Sequence, residues 1–123
     1  MAYERFDVVT ALFPFTDTDI RKPRPVVVLS CGSFNAHHGH LVGVMITTGA
    51  KSRWPSDRPL HDLMAAGLGH PSVIRWKVFT LPYAVIGRRI GRLAAIDADA
   101  LDGAVISVLG PGPSPASAAS AGI

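Results

Sequence analysis

Cations, hydroxyls and an aromatic ring fall at three loop–strand junctions of this chain, and phosphate chemistry uses such groups. They are Arg21, Lys22 and Arg24 in RKPRPVVVLS, Thr47 and Thr48 in VMITT, and Arg53 with Trp54 in KSRWP. Arg24 stands between Pro23 and Pro25, and prolines limit backbone freedom on both sides of it. A guanidinium on a stiff backbone is preorganised, which is what stabilising a pentavalent phosphorus needs. Thr47 and Thr48 end an apolar run, so a hydroxyl there is held in place. Trp54, Trp76 and Phe34 offer faces on which bases stack. Trp76 lies in an alternating apolar run and is expected in the core. For Trp54, flanked by Arg53 and Pro55, stacking and packing both remain open.

Other chemistries find less support. The trio His37, His38 and His40 in HHGH has no nearby carboxylate, and zinc needs three or four ligands of fixed geometry, so a solvated loop is expected. The chain carries no Walker loop, GxGxxG or HExxH. The single cysteine, Cys31, excludes a disulfide within the chain, fits a reducing compartment and is expected as an inert core or near-core thiol. No metal or cofactor is expected.

Charge and length agree with an anionic ligand. The 123 residues suit one domain, and 48% are apolar. Net charge is +3 from 12 Lys+Arg and 9 Asp+Glu. Nine of the cations are arginines, and Arg suits bidentate contact with phosphate better than Lys. Between Lys22 and Val85 the only acids are Asp57 and Asp62, so the middle of the chain is basic and nucleic acid is the first candidate ligand. The charged start MAYERFD is unlike a signal peptide, and no apolar run approaches a membrane span, so a cytoplasmic protein without membrane attachment is expected.

These residues need a scaffold. Strands are expected at DVVTALF (7–13), VVVLS (26–30, buried on both faces), LVGVMITT (41–48) and SVIRWKVFTL (72–81). In the last of these, Ile74, Trp76 and Val78 face inward and the cations Arg75 and Lys77 face water. AVIGRRIGRLAA holds one or two short strands, with bends at Gly87 and Gly91. The stretches after Phe13, CGSFNAHHGH and GAKSRWPSDRP (with Lys51) read as loops, and residues 60–67 fit a helical turn or a strand equally. DADALDGAVISVLG predicts a helix capped by Asp97, with Leu101, Ala104, Val105, Val108 and Leu109 on its apolar stripe. Gly110 and Pro111 end it, and residues 111–123, rich in Pro, Ala and Ser, are expected to be disordered beyond a domain of residues 1–110. The fold class is mainly β with one terminal helix: a small, strongly bent antiparallel sheet or open barrel.

The ordered set FPFTD…RPVVVLS…FN…ITT…GLGHPSVIR…IGRL resembles the PemK/MazF toxin family over residues 7 to 110. The resemblance implies an SH3-like, MazF-type open β-barrel with a C-terminal α-helix, usually a homodimer. It implies metal-independent cleavage of single-stranded RNA by a toxin that a cognate antitoxin holds inactive. By similarity, Arg24 takes the place of the catalytic arginine and Thr47 that of the catalytic threonine. The loop from Thr16 to Lys22 corresponds to a mobile loop over the site. Arg21, Lys22, Thr48, Lys51, Arg53, Trp54, Arg75 and Lys77 are the expected RNA-binding residues. An RNA 2′-hydroxyl would attack its own phosphate, giving a 2′,3′-cyclic phosphate and a 5′-hydroxyl. Arg24 would stabilise the phosphorane charge and Thr47 would position the phosphate. The general base is a gap, because an arginine stays protonated at neutral pH. A loop histidine could fill it, although the family pattern asks for none. Phe6 departs from the family, which often has Gly before the first strand's Asp.

Two other classes stand beside the enzyme. One is a non-catalytic module of the same fold that holds an antitoxin peptide or nucleic acid, against which the presence of both Arg24 and Thr47 counts. The other is a gyrase-poisoning toxin, which would lean on aromatic residues at a C-terminus that here reads ASAASAGI.

Overall fold

A run of three valines that cannot alternate between core and water must be buried on both sides. Val26, Val27 and Val28 are each 0–1% exposed, and they lie in strand β2 (Arg24–Val28) at the middle of the sheet. The computed structural model describes residues 2–13, 22–48 and 53–111. Around β2 run β1 (Asp7–Ala11), β3 (His40–Thr47), β4 (Arg58–Pro59), β5 (Val73–Pro82) and β6 (Ile86–Arg92). A short helix, α1 (Gly32–His38), joins β2 to β3, and α2 (Ala95–Leu109) ends the described fold. The six strands form one antiparallel sheet in the order β4-β5-β3-β2-β1-β6, bent but not closed. Among the described residues no helix is long and apolar enough to cross a membrane.

Register sorts the core into two layers, since neighbours along a strand point to opposite faces. Val8, Val27 and Val44 stand opposite one another and pack with Ile46, Ile74, Trp76, Leu101 and Ala104, the last two from α2. Val9, Val26 and Val28 pack on the other face with Phe13, Leu41, Leu81 and Tyr3. Trp76 is core, as its alternating surroundings predict.

Five expectations are corrected. CGSFNAHHGH holds a helix rather than a loop. Its anchor is Asn35, fully buried, whose amide donates to the carbonyls of Tyr3 (2.9 Å) and Ser30 (3.1 Å). Gly39, left-handed at φ 60°, ends α1 by donating its N–H to Asn35 O. Cys31 precedes this helix and is exposed, not near the core. The terminal helix starts two residues before Asp97, so Asp97 is not its cap but lies inside its first turn, pointing into the protein. The predicted stripe on α2 also splits: Leu101 and Ala104 are buried, while Val108 and Leu109 are exposed together with Ile106.

The fifth correction concerns Arg75. Val44 pairs with Val78, but its neighbour Met45 pairs with Arg75, so Trp76 and Lys77 form a bulge in β5. The bulge breaks the alternation: Arg75 and Trp76 are both buried, and Val78, expected inside, is 45% exposed.

Phe6 takes the left-handed backbone (φ 73°) that glycine adopts freely, at a cost of about 1–2 kcal/mol for an L-residue. Its N–H donates to Val28 O, its carbonyl accepts from Leu93 N, and Arg5 Cζ lies 4.7 Å from its ring. Residue 6 thus ties the start of β1 to both β2 and the end of β6.

Candidate active site

Arg24 opens β2 and Thr47 closes β3. The register of these strands pairs Val26 with Met45 and Val27 with Val44. Continued two residues to the strand ends, it sets Arg24 across from Thr47. Both line a cleft of about 270 Å³ together with Lys22, Pro23, Pro25, Thr48, Leu68, Gly69, His70 and Ser72. Sequence proximity hides this meeting, since Arg24 and Thr47 are separated by α1 and most of two strands.

The arginines divide sharply. Arg5 pairs with Asp102, Arg75 with Asp57, and Arg89 and Arg92 with the fully buried Asp7. Arg24 has no carboxylate partner among the described residues, and Lys22 beside it is exposed. The cleft is therefore a place where positive charge is not cancelled, and an anion gains there most.

A second cluster lies at Trp54. Asp57 accepts from the Trp54 N–H (3.0 Å) and donates its own N–H to Trp54 O (3.0 Å), closing a tight turn. Both Asp57 oxygens bind Arg75, through Nε at 3.1 Å and Nη2 at 2.7 Å. This bidentate contact holds the Asp57 carboxyl below its ordinary range and raises Arg75 above its own. Trp54 is left 38% exposed, with Arg75 Cζ 5.6 Å and Lys77 Nζ 5.8 Å from its ring. Arg75 thus serves as the brace of an indole platform, and Lys77 and Arg53 are the exposed cations beside it. The platform lines a cleft of about 340 Å³ with Arg53, Pro55 and Pro59.

Between these two sites lies an apolar trough of about 690 Å³, walled by Pro59, Leu60, Leu63, Pro71 and Val73. It shares Thr48, His70 and Ser72 with the Arg24 cleft, and Pro59 and Val73 with the Trp54 cleft. One continuous path thus runs from the cations and hydroxyls of the Arg24 cleft, past apolar surface, to an exposed ring. Its wall is pinned by Asp97. That carboxylate, 3% exposed, accepts from His61 N (2.9 Å), Asp62 N (2.9 Å) and His61 Nδ1 (3.2 Å). Burial pushes Asp97 up, and the Asp62 and His61 amides with the His61 ring outweigh it, holding the carboxyl below its ordinary range.

The structure thus gathers Arg24, Thr47, Thr48 and Lys22 at one cleft and Arg53, Trp54 and Lys77 at the other. Arg21, Lys51 and most of the Thr16–Lys22 loop lie outside the described residues, as does the tail beyond Pro111. Sequence reasoning missed Asp57 and His70. A middle poor in acids made Asp57 conspicuous, but only the bulge brings it to Arg75; His70 hides in GLGHP, which reads as a plain turn. Among the described residues no group of three or more His, Cys, Asp or Glu could hold a metal ion.

Fold and cleft together define a small, open β-sheet protein with a cleft lined by Lys22, Arg24, Thr47 and Thr48 at one end of the sheet. A model of the PemK-like, MazF-like toxins of type II toxin–antitoxin systems matches residues 4–109, and the chain belongs to that family. It is 26% identical to the Mycobacterium tuberculosis toxin MazF-mt6, with a TM-score of 0.66 over 84% of this chain and 95% of that one. MazF from Deinococcus radiodurans shares the fold at 20% identity and TM-score 0.71, over 90% of this chain and 99% of that one. So does an endoribonuclease from a mycobacterial species, solved in complex with its cognate antitoxin, at 19% identity and TM-score 0.69 over 91% and 98%. No curated protein matches the chain.

Proposed function

We propose that this protein is a toxin endoribonuclease that cuts single-stranded RNA, mRNA in particular, without a metal ion, and so arrests translation and growth. The observation that carries the reading is the placement of Arg24 opposite Thr47 in one cleft of about 270 Å³. The RNA 2′-hydroxyl attacks the neighbouring phosphorus and the 5′-oxygen leaves, yielding a 2′,3′-cyclic phosphate and a 5′-hydroxyl. Arg24 stabilises the charge that builds on the phosphorane, and Thr47 hydrogen-bonds the phosphate and fixes it in line. Lys22 and Thr48 share that cleft, and the path to Trp54, Arg53 and Lys77 accommodates flanking nucleotides; Arg21 and Lys51 add to the basic surface by sequence alone.

The family supports an antitoxin as the partner that restrains the enzyme. The exposed apolar residues Ile106, Val108 and Leu109 on α2 support a homodimer that covers them. The toxin domain spans residues 1–110, the tail is dispensable for cleavage, and the enzyme acts in the cytoplasm.

The test is to incubate the protein with a long single-stranded RNA in EDTA beside Arg24→Ala. Wild-type cleavage with a variant slowed by about 10²–10³-fold, the effect of removing one charge-stabilising donor, supports the reading. Cleavage that EDTA abolishes, or that the variant retains in full, overturns the mechanism; tight RNA binding without cleavage identifies a binding module instead.

A further inference from the structure

The Arg24 cleft is rich in donors and poor in acceptors of a proton. Arg and Lys carry donors only, and a threonine hydroxyl does not take a proton near neutral pH. Among the described residues of the cleft, His70 is the exception. It lies in the turn Leu68–Ser72, is exposed, and borders both the Arg24 cleft and the apolar trough.

Among the described residues, only Thr48, His70 and Ser72 border both spaces. A nucleotide with its phosphate at Arg24 and its base against Leu60, Leu63 and Pro71 has its ribose between the two, at these three residues. Ser72 is buried and its hydroxyl is already donated to His70 O (2.8 Å). That bond fixes the backbone beside the imidazole, and Pro71 restricts His70 from the other side. Among the described residues nothing hydrogen-bonds the His70 ring, so its nitrogens are available to a ligand.

We propose that His70 accepts the proton of the attacking 2′-hydroxyl. The inference deepens the ribonuclease reading and rests on it. As O2′ bonds to phosphorus, its proton passes to the neutral imidazole. The P–O5′ bond then breaks, and O5′ departs with the bonding pair and takes a proton from water. The imidazolium returns its proton to water. Nothing is oxidised or reduced and no co-reactant is consumed. Among the described residues, the charged groups facing this position are Lys22, just before β2, and Arg24 at its start. From β3 come Thr47 and Thr48, and from β4, the following turn and β5 come Pro59, Leu60, Leu63 and Val73, none of them titratable.

The experiment compares wild type, His70→Gln and His70→Ala on an RNA with one cleavage site, in EDTA and at saturating substrate. The wild-type rate is expected to climb between about pH 5 and 8, the range in which histidine changes charge. His70→Gln is expected to lose that limb and to be slowed by about 10²–10⁴-fold, the usual contribution of a positioned base. Added imidazole should restore part of the rate to His70→Ala. Both variants should melt with the wild type and bind a 2′-deoxy analogue equally well, because the side chain is exposed and braces nothing. An RNA carrying a 5′-bridging sulfur, whose departure needs no proton, should leave the His70→Gln defect intact. A defect that vanishes on this substrate overturns the assignment, since His70 would then assist departure. His70→Gln as fast as a cutting wild type, with the same pH profile, overturns it too while leaving the ribonuclease reading standing. A wild type that cuts no RNA overturns both.

Discussion

Replacing Asp97 by asparagine isolates the clamp that pins the wall of the apolar trough. The carboxylate is buried and receives three donors, two of them backbone N–H groups of residues 61 and 62. Asparagine keeps the shape but offers a single oxygen. Set at the Oδ2 position, that oxygen still accepts from His61 N (3.1 Å) and Asp62 N (2.9 Å), while the NH2 stands where Oδ1 accepted from the His61 N–H and ring. Both amide bonds fall from charged to neutral, a loss of about 1 kcal/mol each. The sum is about 2 kcal/mol, which for a domain of this size lowers Tm by roughly 5–10 °C. His61→Ala is the control. The His61 side chain is 61% exposed, so its ring adds a surface contact of less than about 1 kcal/mol. The sign with pH follows from the lowered Asp97 carboxyl. Its stabilisation is complete above the ordinary carboxylate value of about 3.9 and is lost as pH falls through the lower folded value. Urea melts of wild type and Asp97→Asn should therefore differ by a constant amount from neutral pH down to about pH 4 and converge below it. An Asp97→Asn protein as stable as wild type at pH 7, or a gap that persists unchanged into acid, refutes this account.

Further expectations concern the indole platform and the sheet. Arg75→Ala and Asp57→Asn should both weaken RNA binding in a filter assay, because each releases the Trp54 turn; if Arg75 met RNA directly, removing Asp57 would free a cation and strengthen binding instead. Trp54→Ala should lower affinity for single-stranded RNA by the roughly 1–3 kcal/mol of one stacked base while Tm stays put. Lys77→Ala should reduce the salt slope of binding by about 0.7, the value for one phosphate contact on a single strand. Gly91→Ala should cost about 1–3 kcal/mol in urea melts, since a Cβ there would stand 2.5 and 2.6 Å from the carbonyl oxygens of Ala65 and Ala66.

Much of the scaffold was legible because it depends on local pattern. Three consecutive valines announced a central strand, and apolar spacing announced α2. Arg24 was marked by its flanking prolines, and Thr47 by its place at the end of a strand. Their meeting was not legible from pattern alone, because it depends on the β2–β3 register. Where tertiary contacts overrule local pattern, the sequence misled. HHGH looks like a loop because what makes it helical is the bond from Asn35 to Tyr3, 32 residues away. Arg75 looks solvated because strict alternation carries no sign of a bulge. Asp97 looks like a cap because a carboxylate at a helix start usually is one; here the helix begins earlier and the carboxylate serves another segment. His70 carried no signal at all, since its meaning comes from standing where two cavities meet.

The long reach of Asp97 also fixes an order of assembly. The amides it binds lie 35 and 36 positions earlier in the chain. Arg24 and Thr47 belong to neighbouring strands joined by one short helix, so they can be brought together early and locally. The wall of the adjoining trough cannot set until α2, the last of the described elements, has been made and has docked. A nascent chain halted within β6 would thus hold both proposed catalytic side chains with no anchored wall beside them. On the ribonuclease reading proposed above, completion of the helix, and not synthesis of the two cleft residues, is then the step at which a newly made molecule becomes able to harm the cell that makes it.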